Sequence, residues 1–268
     1  MNDIEDTLYE RYKDFGPNDL AEHFSQACIV GDIEKIKFLL TSNKLKKNVD
    51  IHFDDDNGFI MACQNGQLET VRYLLTSPDL KEHADIHACL DWGLCMACRI
   101  GNLEIVKYLL SSPELKEHAN IHADDDHALF QTFIDGHLHI IKYLLTSSDL
   151  KEHATIYPEN HLRLATSKEH INILDFLFKS DELQNKIDPH VGNDIIFYTA
   201  YKECKINVLN YLIYDLNIEI NDSIENYLND KRISIFDKVK NMFEMRELNK
   251  DLSQNLNNNN NNQAKPKL

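Results

Sequence analysis

Four glycines, Gly31, Gly66, Gly101 and Gly136, stand 35 residues apart, and each opens a copy of one segment: GDIEKIKFLL, GQLETVRYLL, GNLEIVKYLL and GHLHIIKYLL. Self-similarity at a fixed period of this size belongs to chains of stacked units that lean on their neighbours, not to a single globular core. Phe24, Phe59, Leu94 and Leu129 lie seven residues before the glycine, and Ala27, Ala62, Ala97 and Thr132 four before it. Ile33, Leu68, Leu103 and Leu138 follow it by two, Ile36, Val71, Val106 and Ile141 by five, and Leu39, Leu74, Leu109 and Leu144 by eight. Apolar residues three or four apart occupy one face of a helix, so the spacing predicts a helix on each side of the glycine. The small residue lets two helices approach closely, and the glycine permits the left-handed backbone that ends the first.

The register continues without the glycine through Leu162, Ala165, Ile171, Leu174 and Leu177, then through Phe197, Ala200, Ile206, Leu209 and Leu212. A shortened seventh unit fits Ile224, Tyr227, Ile233, Phe236 and Val239. The expected fold is therefore all-α, a helix–turn–helix solenoid of about six repeats with capping helices. Residues 1–20 are expected as an N-terminal cap in which Tyr9, Tyr12 and Phe15 cover the first unit, 21–221 as the repeats, and 222–248 as the C-terminal cap. From 249 to 268 the chain reads NKDLSQNLNNNNNNQAKPKL, too poor in apolar residues to offset the entropy of ordering, and is expected to be disordered.

MACQNGQLETVRYLL and MACRIGNLEIVKYLL, with the turns HADIH and HANIH, resemble ankyrin repeats over about residues 20–215. The resemblance implies an intracellular, cytoplasmic protein that binds other proteins and performs no catalysis. For a chain from an intracellular pathogen or virus, that cytoplasm would be the host's. Two departures stand out. The family's Thr-Pro-Leu-His segment, whose Thr and His brace neighbouring turns, is replaced by NGFI (57–60), WGLC (92–95) and HALF (127–130). The fingers are also expected to be short, while TSPDLKEH (76–83) and SSPELKEH (111–118) lengthen the opposite rim. There Ser77 and Ser112 read as N-caps, Pro78 and Pro113 as first helical positions, and Leu80, Leu115 and Leu150 as pins for an extra helical turn.

With 44 acidic and 28 basic side chains the net charge is −16. Nucleic acid and anionic membrane are disfavoured partners, since both require clustered Lys and Arg, and a basic protein surface is favoured. The charged start MNDIEDTLYERYKDF has no apolar core of a secretory signal, and no stretch reaches the length of a membrane span. Cys28, Cys63 and Cys98 recur at one position of successive units, which predicts small buried thiols rather than disulfides.

No motif for a catalytic nucleophile, phosphate loop or dinucleotide appears, and no cofactor or metal is expected. His83/His87 and His118/His122 have i, i+4 spacing, but the next copy carries Tyr157 in place of the second histidine, which argues against a ligand pair. Cys95 and Cys98 form a lone C-x-x-C, and Cys89 is the candidate reactive thiol. What remains is surface. The finger tips vary most between copies: Asp54, Asp55 and Asp56 form one acidic tip, Asp124, Asp125, Asp126 and the adjoining His127 another, and Asp91 and Trp92 lie between them. An aromatic flanked by carboxylates suits a basic, partly apolar epitope. The expected function is a monomeric scaffold whose acidic concave finger face binds a basic protein. The alternatives are a self-associating structural protein, or an adaptor that docks a second protein, such as a degradation complex, through 222–248.

Overall fold

The computed structural model describes residues 2–45, 48–183, 187–219, 221–228 and 236–263. It forms two compact units, Met1–Ile156 and Tyr157–Leu268. Among the described residues there are helices and turns and no strand.

The first unit is a leading helix and four helix pairs. Helix α1 (Asn2–Tyr12) precedes α2 (Pro17–Val30) and α3 (Ile33–Thr41); α4 (Phe53–Gln64) pairs with α5 (Leu68–Thr76), α6 (Ala88–Arg99) with α7 (Leu103–Ser111), and α8 (Ala123–Asp135) with α9 (Leu138–Thr146). First helices stack in the order α2, α4, α6, α8, and α5, α7 and α9 stack behind them. The aliphatic comb is the interior of this stack. Phe59, Leu94, Leu129, Val71, Val106, Leu74 and Leu109 are all essentially inaccessible, and so are Ala62, Ala97, Cys63 and Cys98. Each glycine between the paired helices is left-handed, as at Gly101 with φ 78°. Tyr12 of α1 is buried, its ring 6.4 Å from that of Phe38. Phe15 stays exposed and stacks on His23. The second helices are also tied by cations lying over tyrosines of the next repeat: Lys37 over Tyr73, Arg72 over Tyr108 and Lys107 over Tyr143.

Two further glycines have a packing cause that the periodicity does not reveal. A Cβ on Gly93 would lie 2.6 Å from the Phe59 ring of the preceding repeat, and a Cβ on Gly58 would run into Phe24. Where the preceding first helix carries Leu94 in place of phenylalanine, position 128 is alanine. Gly93→Ala is therefore expected to lower stability by about 1–3 kcal/mol through overpacking. Phe59→Leu in the same chain should recover part of that loss. Denaturation midpoints of the two single variants and the double variant test this, and strictly additive losses would contradict it.

The rim differs from expectation. TSPDLKEH forms a hydrogen-bonded turn and not an extra helical turn. Ser77 does cap it, accepting at Oγ from the Asp79 N–H at 3.3 Å. However, the Ser77 carbonyl accepts from the Leu80 N–H at 3.2 Å and from His83 Nε2 at 2.9 Å, so the chain closes on itself before a helix can propagate. His118 with Ser112 and His153 with Ser147 repeat that closure. Leu80, Leu115 and Leu150 are half-buried beneath these turns.

The second unit contains α10 (Pro158–Ser167) with α11 (Ile171–Lys179), then α12 (Val191–Lys202) with α13 (Ile206–Asn210). Helix α13 runs into a π-helical turn, Tyr211–Asp215. Leu162, Ala165, Leu174, Phe197, Ala200 and Leu209 are its interior. Glu169 and Cys204 hold the left-handed positions that glycine holds in the first unit. After α14 (Asp222–Leu228), helix α15 (Phe236–Gln263) buries Val239, Met242, Phe243 and Arg246 at helical spacing. The Arg246 guanidinium donates to the carbonyl of Ile218 at 2.7 Å. Helix α15 continues into the asparagine run that the sequence leaves without structure; residues 264–268 and Ile233 lie outside the described residues. No described helix is long and apolar enough to cross a membrane.

Candidate protein-binding surface

The tips are built on a left-handed turn. Asp54, Asp55 and Asp56 open α4 with φ of 54°, 52° and 60°; Cys89, Leu90 and Asp91 do the same in α6, and Asp124, Asp125 and Asp126 in α8. In the second unit Gly192, Asn193 and Asp194 form the same turn at the start of α12. Aspartate, asparagine and glycine suit this backbone, because a short polar side chain can bond locally and glycine has no Cβ to clash.

The turn divides each triplet. In the three triplets of the first unit the first two residues face solvent, and in all four the third, Asp56, Asp91, Asp126 or Asp194, is buried. Each buried carboxylate accepts from the Nδ1 of a histidine four residues earlier: His52 at 3.1 Å, His87 at 3.0 Å, His122 at 2.9 Å, and His190 in the second unit. In the first unit it also accepts from a backbone N–H of the following repeat, Asp85 to Asp56 at 3.0 Å, Asn120 to Asp91 at 2.8 Å and Thr155 to Asp126 at 2.8 Å. In the second unit the Asn221 side-chain amide supplies that bond to Asp194 at 2.9 Å. Each of these histidines is positioned by an Asx turn, as where the His87 N–H donates to Asp85 Oδ1 at 2.8 Å. For His52, burial works against the charged form, but the carboxylates of Asp56, Asp50 and Glu82 outweigh it and raise its pKa.

Two sequence expectations change here. Asp56, Asp91 and Asp126 leave the candidate contact surface because they are interior acceptors that join successive repeats. The array does not lack a brace: a histidine–aspartate pair stands in for the missing Thr-Pro-Leu-His contacts. The i, i+4 histidines cannot act as a ligand pair, since His83 and His118 bond the rim turn while His87 and His122 bond the buried carboxylates. The signal for the brace was in the sequence. The pattern Asp/Asn-x-His-x-x-x-Asp occurs at 50–56, 85–91, 120–126 and 188–194.

The candidates left at the surface are brought together. Trp92, the one tryptophan of the chain, is 36% exposed and stacks on His127 with ring centroids 5.7 Å apart. His127 in turn stacks on Phe130 at 6.0 Å. Gln131 Nε2 donates to His127 Nε2 at 2.8 Å, which leaves Nδ1 facing Asp124 Oδ2 at 4.0 Å. Asp54 and Asp55 are exposed on the repeat before this stack, and Asp124 and Asp125 on the repeat that contains His127. Sequence reasoning passed over Leu90, which is exposed at the tip between them.

The buried thiols are chemically quiet. Cys28, Cys63 and Cys98 are buried and free, and burial pushes the Cys28 thiol up to about 12 and Cys98 well up. Burial, with Asp91 and Asp124 nearby, pushes Cys95 up to about 12 as well, so the C-x-x-C holds protonated thiols. Cys89 and Cys204 are exposed. Among the described residues no group of three or more His, Cys, Asp or Glu could hold a metal ion.

The family model described as ankyrin repeats (3 copies) matches three times, over residues 24–125, 62–154 and 94–193, which together span more than half of the 268 residues. No curated protein and no solved structure matches the chain. Ankyrin repeats generally mediate contacts between proteins and are generally not catalytic. With the helix pairs, the left-handed glycines and the family match in agreement, the chain belongs to the ankyrin-repeat family.

Proposed function

We propose that this chain is a non-catalytic, monomeric scaffold of the cytoplasm that binds a basic protein through the tips of its second to fourth repeats. The observation that carries this reading is the exposed Trp92–His127 stack, with Asp54 and Asp55 on one side and Asp124 and Asp125 on the other. Partly exposed aromatics are the usual energetic anchors of protein interfaces, and the surrounding carboxylates steer a cationic partner toward them. The net charge of −16 makes copies of the chain repel one another and disfavours nucleic acid and anionic membranes.

The test is a variant carrying Trp92→Ala with Asp54, Asp55, Asp124 and Asp125 replaced by asparagine, compared with the parent chain. Proteins captured from cytosol by the parent are expected to bind the variant at least about tenfold more weakly, equivalent to about 1.4 kcal/mol. Their affinity for the parent should fall as added salt shortens the screening length. The thermal midpoint should hold, because asparagine tolerates the left-handed turn. Equal affinity for parent and variant would place the binding face elsewhere.

A further inference from the structure

The four left-handed turns are not equally suited to their backbone. Their first two positions hold Asp54–Asp55, Cys89–Leu90, Asp124–Asp125 and Gly192–Asn193. Only the Cys89–Leu90 turn departs from Asp, Asn and Gly, the residues that accept φ near +60° with least strain. Leu90 combines two unfavourable choices: its φ is 60°, and its side chain is 66% exposed. A leucine there neither relieves the backbone nor gains from burial inside its own unit, so its identity answers to something outside the fold.

The neighbours say what. Cys89 Sγ lies 4.0 Å from the Asp55 carbonyl, which sets the Leu90 turn directly beside the Asp54–Asp55 turn. On the other side the Trp92–His127 stack reaches the repeat of Asp124 and Asp125. Two exposed apolar side chains, Leu90 and Trp92, are thus enclosed between two pairs of exposed carboxylates. Resting on the protein-binding reading above, we infer that Leu90 is the specificity-determining anchor of this surface, and that its partner is a segment patterned basic–apolar–basic. The partner's apolar side chain packs on Leu90 and Trp92, and an Arg or Lys on either side meets Asp54–Asp55 and Asp124–Asp125. Packed helices lie about 8–10 Å apart and an extended chain advances about 3.3 Å per residue, so the cations fall about three residues before and after the apolar one.

The experiment pans a random peptide library against the full chain and then measures the enriched peptides on Leu90→Asn and Trp92→Ala. The expected peptides share a Leu, Ile, Phe or Trp with Arg or Lys about three residues to each side. Leu90→Asn should weaken them at least about tenfold while raising the thermal midpoint by about 2–4 °C, because asparagine fits the left-handed turn. Loss of binding together with a gain in stability is the signature of a strained functional residue. Acidic or featureless enriched peptides, no enrichment, or a lowered midpoint in Leu90→Asn would overturn the inference. If Trp92→Ala weakens the peptides and Leu90→Asn does not, the Leu90 assignment fails and the protein-binding surface stands. If neither variant weakens them, the surface itself is wrong.

Discussion

Replacing Asp91 with alanine is expected to lower the stability of the chain by about 3 kcal/mol. Two costs add. The Asn120 N–H and His87 Nδ1 lose their shared acceptor inside a buried site, which costs about 1–3 kcal/mol. An alanine must also hold the left-handed backbone that Asp91 occupies at φ 59°, at about 1–2 kcal/mol. Asp91→Asn keeps an oxygen for the Asn120 N–H and tolerates the turn, so it should cost clearly less than alanine. Asp125→Asn, one residue before the corresponding buried position and exposed, should shift stability by no more than about 0.5 kcal/mol. Denaturant midpoints of the three variants decide the matter. Similar losses at Asp91 and Asp125 would mean that the triplets are not divided between interior and surface.

Leu109→Ala is expected to cost about 2–5 kcal/mol. Leu109 is fully buried in α7, which is packed against α6 within its repeat and between α5 and α9 of its neighbours. The truncation leaves a void in a stack whose helices cannot all shift to close it, since each is held on both sides. Ile100→Ala, just past the end of α6 and 39% exposed, removes a similar volume from a partly exposed site and should cost clearly less. Thermal or denaturant midpoints supply the comparison, and a Leu109→Ala loss below about 1 kcal/mol would mean that the comb is not the interior.

The repeat architecture was legible because its cause is periodic. A residue that is buried in one unit is buried in the next, so Leu39, Leu74, Leu109 and Leu144 announce the core, and Cys28, Cys63 and Cys98 announce themselves as packing. The tips were legible only in part. Three consecutive aspartates look equivalent as letters, and a left-handed turn is needed to send Asp126 inward while Asp124 and Asp125 face water. The histidine four residues earlier, which marks the inward carboxylate, was separated from it by weighing the histidines only as metal ligands, and setting that aside, while reading the aspartates as surface. The rim turn was misread because Ser77 followed by Pro78 has the composition of a helix start. The later closure by His83 depends on a side chain reaching back six residues, which no local propensity records. Leu90 was passed over because only its backbone conformation makes an exposed leucine unusual.

The most direct test is hydrogen exchange, by NMR, at the amides of Asp85, Asn120 and Thr155. The three inward carboxylates are expected to hold these N–H groups, so all three should exchange far more slowly than the same residues in an unstructured peptide, although they lie in connecting segments. Protection at Asn120 should disappear selectively in Asp91→Ala. Exchange at peptide-like rates in the parent chain would contradict the account, because the carboxylates would then be at the surface with the rest of the acidic tips.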